Sequence, residues 1–176
     1  MTAVRNGDIE QLGVLFERYK KLLFNFFLLQ TSNRHASEDL VQDVFFRILK
    51  YRKTYRDDGS FKTWMFTIAR NARNDYYREH CVKHEPLENH LDIIGHGPGP
   101  DENCERGDEI SLLKTAIDRL SADKREVLLL SRYQNMKYKD IGNVLGCSAG
   151  AVKVRVHRAM HALTDIYHEL TGGNSL

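Results

Sequence analysis

Four side chains near the C-terminal end, Lys153, Arg155, His157 and Arg158, fall within six residues of one another, and all are of types that bond phosphate oxygens or guanine edges. Their surroundings suggest how they would be presented. In Tyr138–Arg158, which reads YKDIGNVLGCSAGAVKVRVHR, the spacing of Ile141, Val144 and Leu145 gives a short helix one inward face. Gly146 supplies a turn residue that tolerates positive φ, and Gly142 lets a second helix approach closely. Ser148 is of the type that caps a helix start. Val152 and Val156, four apart, then pack inward and leave the basic set outside. The pattern is that of a helix-turn-helix, whose second helix fits a DNA major groove. A purely structural hairpin with a solvated basic face is the plainer alternative. Spacing, glycine turn, cap and basic face together favour the DNA-reading helix.

A second set of chemically capable residues is weaker. Cys81 and His84, with His80, His90, His96 and Cys104 nearby, are metal-ligating types, but their spacings form no two tight ligand pairs. Scattered surface residues account for them, so no metal and no cofactor is expected. No paired nucleophile and base, HExxH pattern or phosphate-cradling glycine loop occurs. The chain reads as a non-enzyme.

The elements that must carry these residues are helical. Ile9, Leu12, Leu15, Phe16, Tyr19, Leu22, Leu23, Phe26 and Phe27 recur at three- and four-residue steps. Ser37 is placed to cap a second helix, with Glu38 and Asp39 in its first turn and apolar pairs Leu40/Val41, Val44/Phe45 and Ile48/Leu49 repeating every four. Asp57-Asp58-Gly59 marks a turn, and Ser60 precedes a third helix carrying Phe61, Trp64, Met65, Ile68, Ala69, Ala72 and Tyr76. Further on, Leu112, Leu113, Ala116, Ile117 and Leu120 form one face. Ser121 can cap a helix over about 123–133, and segments 138–145 and 148–167 follow. No stretch alternates with period two long enough for a strand.

Charge divides the chain as the helices do. Residues 1–84 hold 15 Lys/Arg against 10 Asp/Glu, residues 85–111 one against eight, and residues 112–176 ten against six. Two mildly basic blocks thus flank an acidic one, an asymmetry that points to nucleic-acid partners. The span 85–108 contains all three prolines and reads as a flexible linker, in which Leu91, Ile93 and Ile94 would dock only transiently. The expected fold is therefore all-α: two small helical domains, 1–84 and 109–176, joined by the acidic linker 85–108, with a frayed tail from Gly172. The longest apolar run, Leu22–Leu29, includes Asn25 and falls far short of the ~20 residues of a membrane span. No apolar signal segment opens the chain, and three widely spaced cysteines suit a reducing compartment. A soluble, cytoplasmic protein without membrane insertion is expected.

Three ordered stretches, SEDLVQDVFFRILK at 37–50, GSFKTWMFTIARNARNDYYRE at 59–79 and LSADKREVLLLSRYQNMKYKDIGNVLGCSAGAVKVRVHRA at 120–159, resemble a bacterial RNA polymerase sigma factor of the extracytoplasmic-function (ECF) group. The resemblance covers nearly the whole chain apart from the linker and last residues. It implies a factor that directs core RNA polymerase to specific promoters and assists their opening, the first domain gripping core and the −10 element and the second reading the −35 element. Its partners would be the largest and second-largest polymerase subunits, promoter DNA (duplex at −35, single-stranded at −10) and an anti-sigma protein.

The resemblance also assigns residues. Glu38, Asp39, Gln42, Asp43 and Arg47 would meet the coiled-coil clamp of the largest subunit. Their three- and four-residue steps make one charged stripe, which on residue type alone is equally a solvated face. Lys62, Arg70, Asn71, Asn74, Asp75 and Arg78 would capture the −10 strand, beside a loop, 55–61, that holds a flipped base. Unpaired bases need stacking surfaces and a cationic track, and 51–78 is rich in both. Phe61 and Trp64 share the phase of Ile68 and Ala72, which favours a core role, whereas Lys62, Asn74 and Arg78 lie off that face. Ser148, Lys153, Val154, Arg155, His157 and Arg158 would contact the −35 duplex. The chain departs from the family pattern at Ser121, Gly142, Ala151 and Val154. Val154 suits contact with a thymine methyl group instead of a hydrogen bond.

Three rivals exist. A dimeric helix-turn-helix regulator explains 138–158 but leaves 37–79 unused. A sigma-like decoy that only sequesters an anti-sigma protein should lack the basic DNA-facing residues, which this chain keeps. A metal-dependent enzyme built on the linker histidines has the least support.

Overall fold

The computed structural model describes residues 1–57, 59–81 and 104–172. The described elements are α1 (Thr2–Arg5), α2 (Gln11–Thr31), α3 (Arg34–Tyr51), a 3-10 turn (Arg52–Thr54), α4 (Phe61–Cys81), α5 (Cys104–Arg119), α6 (Ala122–Leu128), a π-helical turn (Leu129–Tyr133), α7 (Tyr138–Leu145) and α8 (Ala149–Gly172). There is no strand among the described residues. Most of the segment read as linker, 85–103, lies outside them, as do Leu91, Ile93, Ile94 and the tail 173–176. Helix α5 starts at Cys104, ahead of the expected domain start at 109.

Helices α2, α3 and α4 form the first bundle. Leu23, Phe26 and Phe27 of α2 are buried against Leu40, Val44 and Ile48 of α3 and Met65, Phe66 and Ala69 of α4. The Phe26 and Phe66 rings meet edge to face with centroids 4.9 Å apart. Each of these leucine, valine, isoleucine, methionine and phenylalanine side chains contributes about 1.5–3 kcal/mol by leaving water. Ile9, expected to share this face, lies ahead of α2 and is exposed, while Val4 of α1 is fully buried.

Ser37 is not the cap of α3. Asn33 is: its side chain accepts from the Ala36 N–H at 3.0 Å. Ser37 is buried one turn inside the helix and donates from Oγ to the Asn33 carbonyl at 2.6 Å. Asn33 serves the same capping chemistry one turn earlier, so Glu38 and Asp39 fall in the second turn rather than the first.

In the second bundle α8 packs on α5, α6 and α7. Ser121 sits at the N-cap of α6, but its side chain makes no capping hydrogen bond. Ser148 does cap α8, its Oγ accepting from the Ala151 N–H at 3.2 Å. Gly146 ends α7 at φ +67°, a backbone conformation that favours glycine. A Cβ on Gly142 would stand 2.5 Å from the Cys147 carbonyl oxygen, so the turn requires glycine there. Ile141, Val144, Val152, Val156 and Ala159 close this core.

The two bundles touch. Buried apolar residues of both belong to one cluster, with α4 packed on α7 and α2 on α5 and α6. No helix among the described residues is long and apolar enough to cross a membrane.

Candidate nucleic-acid and polymerase interface

The outer face of α8 presents the basic set together. With Val152, Val156 and Ala159 buried, Ser148, Lys153, Val154, Arg155, His157 and Arg158 are all exposed. None of Lys153, Arg155 and Arg158 takes part in an ion pair among the described residues (compare the pairs formed elsewhere), so their charge is available to a duplex. His157 stacks obliquely on His161, Nε2 to Nε2 at 3.2 Å. Val154 is 49% exposed, an apolar tip amid cations.

On α3 the expected stripe divides in two. Asp39 and Gln42 face solvent, and Phe46, one turn further along, is 65% exposed. Phe46 was hidden in the pattern because it follows Val44 and Phe45, both buried, and continues their apolar run. Asp39, Gln42 and Phe46 thus share one exposed face of α3. The other members are already engaged: Glu38 pairs with Arg34, and Asp43 with Arg47.

Arg47 links this helix to the −10 candidates. Its Nε meets Asp43 at 2.9 Å and its Nη1 meets Asp75 of α4 at 2.6 Å, while the other Asp75 oxygen holds Arg78 at 2.8 Å. The hydrogen bond from Arg47 is the main cause holding the Asp75 carboxyl below the ordinary 3.8. Burial works against the Arg47 charge, but the bonds to Asp43 and Asp75 outweigh it and raise its pKa. Asn71, Asn74, Asp75 and Arg78 line one open groove of about 500 Å³ with Arg47, Tyr51 and Ile68. The structure thus brings four of the six −10 candidates together.

The other two lie elsewhere. Lys62, expected to lie off the core face of α4, is half-buried and donates from Nζ to the Gln134 carbonyl at 2.6 Å; burial lowers its pKa. Arg70 stands 3.4 Å from Glu126, which is almost wholly buried. Arg73, which falls within the cation-rich stretch 51–78, is buried too, bonded to Gln30 and 3.1 Å from Glu126. The reason is common to all three: their face of α4 is covered by the second bundle, a contact between distant segments that helical periodicity does not report. A pocket of about 280 Å³ between Tyr55, Arg56, Gly59, Ser60, Thr63 and Trp64 corresponds to the loop expected to take a base, and Asp140 and Asn143 of α7 line it as well. Phe61 and Trp64 pack against the core, as their phase requires.

No group of three or more His, Cys, Asp or Glu side chains that could hold a metal occurs among the described residues. His84, His90 and His96 lie outside them.

Residues 15–80 match the family model described as Sigma-70 region 2, and residues 110–163 match Sigma-70, region 4. The RNA polymerase sigma factor CarQ of Myxococcus xanthus is 28% identical over 97% of this chain and 97% of its own. The ECF RNA polymerase sigma factor SigX of Bacillus subtilis is 25% identical over 88% of this chain and 82% of its own. Among solved structures, the sigma factor RpoE in complex with the anti-sigma factor NepR from Bartonella quintana superimposes with a TM-score of 0.70 at 26% identity, covering 95% of this chain and 98% of that one. Two regions of a single family, in order and over most of the chain, make this protein a member of the sigma-70 family in its extracytoplasmic-function group, a promoter-specificity subunit that directs RNA polymerase in transcription initiation.

Proposed function

We propose a residue-level division of that work. Asp39, Gln42 and Phe46 of α3 dock on core polymerase, with Glu38, Asp43 and Arg47 holding the stripe in shape. The groove of Asn71, Asn74, Asp75 and Arg78 takes the unpaired −10 strand, joined by Lys62, Arg70 and the 55–61 pocket. Ser148, Lys153, Val154, Arg155, His157 and Arg158 read the −35 duplex. The carrying observation is the outer face of α8, where three cations stand exposed and unpaired among the described residues on a capped helix locked by Gly142. The protein has no chemistry of its own and acts in the cytoplasm, beside the polymerase that performs catalysis. Base capture at −10 would offset part of the cost of opening the duplex. The likeness to a sigma factor solved with an anti-sigma partner supports control of this chain by such a protein.

Purified protein added to core polymerase and genomic promoter fragments tests the reading. Defined transcript starts with unpaired thymines near −10 are expected. Failure to join core, or joining without initiation at any fragment, would refute it.

A further inference from the structure

Two histidines converge on α8 without serving the core. His157 and His161 lie four positions apart, the spacing at which side chains of one helix face meet. Both are exposed, and their Nε2 atoms stand 3.2 Å apart, with ring centroids 4.4 Å apart and planes tilted by 58°. Two nitrogens each about 2.0–2.1 Å from one ion stand about 2.9 Å apart at a right angle and about 3.3 Å apart at the tetrahedral angle. The observed separation falls between those limits. We infer that His157 and His161 form a two-nitrogen chelate for a divalent transition-metal ion on the outer face of α8.

The helix prepares the pair. Val152, Val156 and Ala159 are buried on the opposite side of α8 and fix which way the two rings project. The same pairing of histidines, four apart on one helix face, holds zinc in HExxH sites. No third His, Cys, Asp or Glu joins the pair among the described residues, so water completes the coordination shell. An exposed hydrogen bond between the two rings gains little, because each ring bonds water as well. An ion instead takes both nitrogens as acceptors at once. Imidazole suits nickel, copper and zinc, whereas magnesium prefers oxygen ligands. Asp165, one turn beyond His161 on the same exposed face, attracts a cation; Lys153 and Arg158 oppose it, but as exposed charges they are screened by salt. His157 is also one of the −35 candidates, so ion and duplex would share a residue. The ion is measured without DNA, so the chelate stands or falls apart from that assignment.

Untagged full-length protein titrated with Ni²⁺ tests the site, by calorimetry and by proton NMR of the imidazole C–H signals. Nickel(II) is paramagnetic, so the His157 and His161 signals, assigned by their loss in single alanine variants, should broaden first. His157→Ala and His161→Ala should each weaken the tightest Ni²⁺ binding by about tenfold or more, because the second arm of a chelate binds at high effective concentration. Both positions are exposed and helical, where alanine is well tolerated, so folding is retained. His168→Ala removes a histidine about 10 Å further along the helix and should leave Ni²⁺ affinity within about twofold of the parent. A large excess of Mg²⁺ should not compete. Equal Ni²⁺ affinity in the parent and in His157→Ala or His161→Ala would overturn the chelate and leave the contact a hydrogen bond. So would an equal loss in His168→Ala, displacement by Mg²⁺, or broadening of other histidines ahead of these two.

Discussion

Arg47 of α3 and Asp75 of α4 are joined at 2.6 Å across the seam between the candidate core-docking helix and the candidate −10 helix. Since Asp43 holds the other edge of the same guanidinium and Arg78 the other oxygen of the same carboxylate, four charges act as one unit. The orientation of Arg78 toward the groove is thereby tied to a residue on the core-binding side. A side chain that the family resemblance assigns to a polymerase contact also braces, in the fold, helix α3 against helix α4.

Asp75→Asn should show this as a pH-dependent loss. The Asp75 pKa is depressed when folded, so its contribution is complete above the ordinary carboxylate value of 3.8 and fades as pH falls through the lower folded value. A destabilisation of about 1 kcal/mol near neutrality is expected, given partial exposure of both partners. Urea unfolding of parent and variant should differ near pH 7, and the difference should shrink as the pH falls below 3.8. Equal stability at both pH values would show that the network is ornamental.

Phe46→Ala separates docking from folding. The ring is 65% exposed, so unfolding free energy should move by no more than about 0.5 kcal/mol. If Phe46 enters a pocket on core, affinity should fall by about 2 kcal/mol or more, as for other buried aromatic anchors. Gel filtration with core polymerase, beside thermal unfolding, reads both. Undiminished co-elution would remove Phe46 from the interface.

Much of the fold was legible because each helix carries its own record. The heptad-like spacing of Leu23, Phe26 and Phe27, the glycines at 142 and 146 and the basic outer face of α8 are all local facts, and each reappears in place. Position 37 failed because Ser37 and Asn33 both fit a capping role, and only the helix start decides between them. The fate of Lys62, Arg70 and Arg73 was illegible for another reason. Their partners, Gln134 and Glu126, lie more than fifty residues away and are themselves ordinary surface types. Nothing in period or composition announces a polar seam.

Lys153→Ala and Arg158→Ala should weaken duplex −35 binding without loss of stability, because both side chains are exposed and lack an ion pair among the described residues. The salt dependence distinguishes their roles. A side chain that neutralises a phosphate lowers the log–log salt slope by about 0.9 when removed and weakens all sequences alike. One that bonds a base edge leaves the slope nearer its parent value and relaxes specificity at one position, costing about 1–3 kcal/mol there. Titrating promoter and scrambled duplexes at several salt concentrations reads the two signatures. A variant with neither signature has its residue outside the interface.

Gly142→Ala tests the joint on which the candidate DNA-reading helix turns. The new Cβ would lie 2.5 Å from the Cys147 carbonyl oxygen, a backbone atom that cannot swing aside as a side chain would. The α7–α8 junction must therefore open, at a cost of about 1–3 kcal/mol. Because Ile141 and Val144 on α7 and Val152 on α8 are buried together, a shift of the junction also tilts the basic face. Duplex affinity should consequently fall further than stability alone accounts for, at temperatures where the variant remains folded. Gly150→Ala is the matched control, since only Ser148 Oγ lies near its Cβ position, at 3.8 Å, and the residue is exposed near the start of α8. If both alanines leave melting temperature and duplex binding alike, the close approach at Gly142 does not set the angle of α8.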